Sequence, residues 1–178
     1  SASGAAAGRV NAMIGDALST VGSPNPGALN ILFDARAGQR LSAKAALLHA
    51  MAKADMSAAQ QKTLAGEIEG RLRVAANGVD IDDDGDDLYG AILESRARTL
   101  AMVLRALLAT DPKHPHAGRI ARRLLALRQP HGAWRTTQED GWALMALADY
   151  RRLQESGADA FEARALLGGQ ELLTSKFA

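Results

Sequence analysis

The feature that most constrains this chain is an alternation between two kinds of helix-forming segment. Residues 43–52 (AKAALLHAMA), 99–109 (TLAMVLRALLA) and 142–150 (WALMALADY) are apolar on nearly every side. Residues 58–73 and 116–128 instead carry charge on one face, including Arg119, Arg122, Arg123 and Arg128. A helix that is apolar all round has to be buried, and an amphipathic one can cover it from the solvent side. Alternation of the two predicts an all-α fold of helical hairpins in two layers, inner and outer. Short loops at 55–56 and 129–136 suit antiparallel neighbours. Hydrophobic residues make up 47% of the chain but aromatics only 4%, so Ala and Leu must build the core. Both favour helix, because they lose little side-chain entropy on entering one.

Local signals divide the chain further. A first helix is expected over 5–20, stopped by Gly22-Ser-Pro-Asn-Pro-Gly27. A second is expected over 42–54 with Ser42 as N-cap, and a third over 57–76, where Ser57 and Gln60 have capping-box spacing. Asn77-Gly78 should end the third, with an acidic loop from Asp80 to Asp87 behind it. A fourth helix is expected over about 88–109, closed by Asp111-Pro112, and a fifth over 116–128. The sixth should start after Thr136, with Glu139 completing a capping box, and run to about Gln154. At 159–177 the apolar period shortens to two on either side of Gly168-Gly169, which predicts a β-hairpin.

Charge excludes some functions. With 21 basic and 20 acidic residues the net charge is +1, and the arginines of 119–128 have no interleaved aromatics, so no nucleic-acid partner is expected. No apolar run approaches the ~20 residues of a membrane span. The opening SASGAAAGRV lacks a basic region followed by a hydrophobic stretch, so no signal peptide is expected in it. The absence of cysteine removes disulfides, thiolate metal sites and cysteine nucleophiles together.

The sharpest local feature is D-I-D-D-D-G-D-D at 80–87. Asp80, Asp82, Asp84 and Gly85 match the first half of an EF-hand calcium loop, while Asp87 and Ala91 stand where an apolar residue and a bidentate Glu are needed. A weak Ca²⁺ site on Asp80, Asp82 and Asp84 is one reading. A solvated acidic loop ahead of a helix N-terminus is the simpler one. No other cofactor is expected. His114 and His116 would make an incomplete zinc site and read as a surface turn. His49, inside an apolar helix, reads as a hydrogen-bonded core residue, and His131 falls in a Pro/Gly loop. Trp142 reads as core, and Trp134 as the cover of a hairpin corner. No nucleophile elbow accompanies the Ser, His and Asp residues.

Two stretches carry a family resemblance. SRARTLAMVLRALLATDPKHP (95–115) and RLLALRQPHGAWRTTQEDGWALMALADY (123–150) resemble the closing helical hairpins of the thioester domain in bacterial α-macroglobulins, in the same order and at similar separation. LSAKAALLHAMAKA (41–54) is similar to the preceding hairpin. The likeness covers about 29–155. It implies a partial α/α-toroid over 29–157, preceded by a loosely matched helix and Pro/Gly loop over 1–28. Residues 158–178 would begin a following β domain. It further implies a periplasmic or extracellular protease inhibitor that is not an enzyme. Such proteins trap a protease after it cleaves a bait region, so the implied partners are target proteases, met through the full-length protein, and neighbouring domains. The family's thioester needs a Cys, and none is present, so no functional residue carries over. Asp80-Ile81-Asp82-Asp83 also resembles the acid motif of class II terpene cyclases, and Gln129–Trp134 their Q-x-x-x-G-x-W repeat, which implies an alternative enzyme on a related toroid. Seven aromatic residues (two Trp, two Tyr, three Phe) are too few and scattered for the aromatic cavity that carbocation chemistry requires.

Overall fold

The computed structural model describes residues 2–75, 78–82, 95–155, 161–167 and 170–177. Helix α1 (Ala2–Thr20) closes on Gly22, whose φ of +80° lets Ser23 N–H reach back to the Leu18 carbonyl at 2.9 Å. The Pro/Gly stretch behind it is more than a stop, because it starts a helix that the sequence pattern does not announce. Asn25 Oδ1 accepts from Ala28 N–H at 3.0 Å and Pro26 takes the first helical position, so α2 runs Pro26–Asp34. A short 3₁₀ turn at Arg36–Gly38 leads into α3 (Leu41–Lys53). Ser42 is not its cap: Arg40 holds that position, and Ser42 lies buried inside the first turn.

Helix α3 ends on Asp55 in the left-handed region (φ 50°), with Met56 N–H bonded to the Met51 carbonyl. Helix α4 (Ala58–Glu69) begins after Ser57, whose side chain makes no capping bond, and Gln60 donates instead to Asn30 on α2. The helix expected to reach residue 76 stops early, at Gly70. The chain then turns into an antiparallel hairpin, β1 (Leu72–Ala75) and β2 (Gly78–Ile81), with Leu72 opposite Ile81 and Arg73 opposite Asp80. Gly78 therefore opens a strand paired with β1, and the helix expected to end at Asn77-Gly78 has already stopped at Gly70.

Helices α5 (Arg96–Thr110), α6 (Ala117–Ala126) and α7 (Thr137–Glu155) complete the helical part. Residues 83–94, over which a loop and the first turns of a helix from 88 were expected, lie outside the described residues. The antiparallel strands β3 (Phe161–Leu167) and β4 (Gln170–Phe177) form the expected terminal hairpin, with a bulge between Ala165 and Leu166.

The described residues form a mostly helical fold in two layers. Helices α1, α3, α5 and α7 pack side by side in that order, and α2, α4 and α6 lie against them. The core sits along α3 and α5, where Leu47, Leu48, Met51, Leu100, Leu104, Leu107 and Leu108 are fully enclosed. Alanines at 43, 45, 46, 50, 97, 101 and 106 are buried beside them, short enough to bring neighbouring helices close. Strand β2 packs against α6 and alternates in burial as its pleat requires, with Val79 and Ile81 buried and Asp80 half-buried between them. One expectation of burial is only half met. Helix α7 buries Ala143 and Ala146 but exposes Leu144 and Met145, because among the described residues it stands at the end of the row, beyond α5.

Candidate functional site

The residues that carry the resemblance converge where α5, α6 and α7 meet, and several of their polar groups are held by local partners. At the start of α5, Ser95 Oγ accepts from Arg98 N–H at 3.2 Å, a side-chain N-cap. Arg98 itself is buried, near Met13 Sδ of α1, with its guanidinium 5.9 Å from the Trp142 ring centre. Arg105, two turns on, lies 5.6 Å from the same ring and donates to Asp149 Oδ2 at 3.0 Å. Trp142 is thus a half-buried plate between two cations that ties α7 to α5.

The turn from α5 to α6 is built on Asp111 and His114. Asp111 Oδ1 accepts from Lys113 N–H at 2.9 Å, the bond that lets an Asp shape a turn. His114 is buried and not on a surface turn as expected. Its Nδ1 accepts from His116 N–H, which places the ring hydrogen on Nε2, where it is directed to Glu69 Oε1 at 3.0 Å. The loop is thereby fastened to the end of α4, and the two histidines meet edge to face with centroids 5.7 Å apart.

Between α6 and α7, Trp134 is the more buried of the two tryptophans. Its Nε1–H donates to the Leu124 carbonyl at 3.0 Å and its backbone N–H to Asp140 Oδ1 at 2.7 Å. The capping box expected at α7 is present in a displaced form. Thr136 Oγ1 accepts from Glu139 N–H at 3.2 Å, while the buried Glu139 carboxylate reaches one residue further back, to Arg135 N–H at 2.8 Å.

The acidic stretch behaves as an anchor in its described part. Asp80 Oδ2 accepts from Arg123 of α6 at 2.8 Å and from Arg96 of α5 at 3.1 Å, and Asp82 pairs with Arg73 of β1. The hairpin is so clamped to two helices. Asp80 and Asp82 lie in or beside β2, while Asp84, the third residue of the possible calcium loop, and Asp83 of the terpene-cyclase-like motif lie outside the described residues. Among the described residues no group of three or more His, Asp or Glu is arranged to hold a metal ion. On α6, Arg119 and Arg122 face solvent as a wet stripe, but Arg123 turns inward to the clamp.

In two further polar clusters the identity of the partners had no sequence signal. His49 in the interior of α3 has its expected partner, and it is Asp16 of α1, with Nδ1 and Oδ1 2.5 Å apart and both side chains buried. Glu67 of α4 accepts from Lys44 at 2.7 Å and from Arg36 at 2.8 Å. Burial alone would push the Glu67 carboxyl up, but the bonds and charges of Lys44 and Arg36 outweigh it and hold the group below the usual Glu range. Partners 31 and 33 residues away have no periodic trace to be read from.

No family model matches the chain, and no curated protein matches it.

Proposed function

We propose that this chain is a non-catalytic scaffold segment of an α-macroglobulin-like protease inhibitor. It would form an arc of that protein's α/α-toroid and act in the periplasm or outside the cell. The observation that carries the reading is the use made of the resembling residues. Ser95, Asp111, His114, Trp134, Thr136 and Glu139 each cap a helix, shape a turn or fasten one element to another. Residues so engaged serve rigidity, which a ring domain of a trap requires, and leave little for chemistry.

Three features support the same reading. Helices α1, α3, α5 and α7, which pack side by side, are separated along the chain by α2, α4 and α6, an alternation that a toroid arc would require. A β-hairpin at 161–177 comes after the last helix, in the order in which the family's β-rich neighbour succeeds its ring. The chain has no cysteine, so a thioester in the parent protein would have to lie outside these residues. Its partners are then target proteases, met through the whole inhibitor, and the domains that flank the ring.

The test is to incubate the intact parent protein with an endopeptidase and weigh the product. The expected result is a complex heavier than the inhibitor by the mass of the protease, formed only after bait cleavage. Cleavage of the parent with no retained protease refutes the reading.

A further inference from the structure

One arginine of the core reaches two helices other than its own. Arg98, at the start of α5, is only 4% exposed. Its Nη2 donates to Met13 Sδ of α1 at 3.1 Å, and its guanidinium lies 5.9 Å from the centre of the Trp142 ring on α7. A thioether is a weak acceptor, whereas a guanidinium bonds best to a strongly polar oxygen. The contact therefore sets a strong donor against a poor acceptor at a partly buried place. One chemical change on the α1 side corrects the mismatch, the addition of an oxygen atom to the sulfur. Met13 is placed to undergo it. Of the five methionines, Met51 and Met102 are sealed in the core, and Met145 is 43% exposed at the far end of the row. Met13 is half-buried at the rim of the core, so the residue touches both solvent and Arg98.

We propose that Met13 is a site of oxidation to the sulfoxide, with Arg98 as the group that holds the new oxygen. The oxidant is hydrogen peroxide. A lone pair on Sδ attacks one peroxide oxygen, and the S–O bond forms as the O–O bond breaks. The proton of the transferred hydroxyl passes to the departing hydroxide, which leaves as water. Sulfur loses an electron pair and the peroxide gains it. In an apolar core a sulfoxide disrupts packing. Beside Arg98 the same oxygen accepts a charge-assisted hydrogen bond, so oxidation tightens the tie between α1 and α5. Helix α1 lies at one end of the row, packed mainly on α3 and α2, so this tie bears on how firmly it is held. The guanidinium has to shift to admit the oxygen, and because it faces Trp142 the shift alters the emission of that ring. Oxidation at Met13 neither requires nor excludes a protease trap, so either can fail without the other.

The test is treatment of the folded 178-residue chain with hydrogen peroxide, followed by tryptic mapping. Met13 is the only methionine between Arg9 and Arg36, so one peptide reports it alone. That peptide should gain one oxygen while Met51 and Met102 stay unmodified. In a Met56→Leu/Met145→Leu background, which removes the other two methionines outside the sealed core, oxidation should raise the melting temperature by about 2–4 °C and shift the tryptophan emission. Met13→Gln supplies an amide oxygen to Arg98 and should reproduce both changes without peroxide. Met13→Leu should abolish the response to peroxide. A Met13 that stays reduced while Met145 is oxidised overturns the proposal. So does oxidation at Met13 that lowers the melting temperature, or that leaves either the melting temperature or the emission unchanged. A Met13→Gln chain no more stable than Met13→Leu overturns it as well.

Discussion

Leu104→Ala separates the structure from its sequence pattern, because Leu104 and Leu144 both sit in segments that are apolar on nearly every side. Leu104, in the middle of α5, is fully enclosed in a row with α3 on one side and α7 on the other. Leu144 on α7 is 60% exposed. Truncating Leu104 removes three buried carbons, about 2.5 kcal/mol of transfer free energy, to which the cavity left behind adds. Alanine-lined contacts on α3 and α5 already hold the helices close, so there is little room for collapse. The expected loss is about 3–4 kcal/mol, a large part of the stability of a domain this size. Leu144→Ala should change stability by less than about 0.5 kcal/mol. Urea unfolding followed by circular dichroism measures both, and the midpoint should fall for Leu104→Ala without a change in slope. Equal losses at the two positions, or a loss below about 1 kcal/mol at Leu104, would refute the placement of α5 at the centre of the row.

Asp55→Gly should stabilise the chain by about 0.5–1 kcal/mol, because Asp55 holds a left-handed φ of 50° that glycine adopts without a steric cost; thermal unfolding measures it. Glu67→Gln should flatten the acid limb of the stability profile. The folded carboxyl is held below its ordinary value, so the stability it adds is present above the unfolded pKa of about 4.3 and is lost as pH falls through the folded pKa. A profile that is the same in the variant from neutral pH to acid would show that the Lys44 and Arg36 contacts contribute nothing. Asp80→Ala, which releases Arg96 and Arg123, should cost about 1 kcal/mol in urea unfolding, modest because all three side chains are partly exposed. Added Ca²⁺ should leave the melting temperature of the unaltered chain where it is, since Asp80 and Asp82 already accept from arginines. A calcium-dependent rise would instead make the acidic stretch a cation site.

What was legible in the sequence was legible through period and composition. The alternation of apolar and amphipathic segments gives the two layers, and the shortened period at 159–177 gives the terminal hairpin. Misreadings cluster at glycine, proline and asparagine, residues that can end one element or begin another depending on their neighbours. Asn25-Pro26 reads as a stop when taken as punctuation, but Asn25 is also a cap and Pro26 a first helical residue. Asn77-Gly78 reads as a helix end only if the helix crosses Gly70, and it does not. Ser42 has the composition of a cap but lies inside the first turn, and Ser57 makes no capping bond, whereas Thr136 and Glu139 have both composition and bonds. The polar clamps were least visible. Asp16 with His49, Glu67 with Lys44 and Arg36, and Asp80 with Arg123 join residues more than 20 apart in sequence, and only the packing of the helices brings them together.

The proposed role of this mostly helical chain is to stiffen a protease trap without chemistry of its own. It is tested most directly by measuring the activity of a captured endopeptidase on two substrates of different size. After incubation with the intact parent protein, the protease should still cleave a small peptide ester and should lose its activity on a large protein, because the trap screens by size and leaves the active site untouched. Full activity on the large protein, or equal loss on both substrates, would contradict the account.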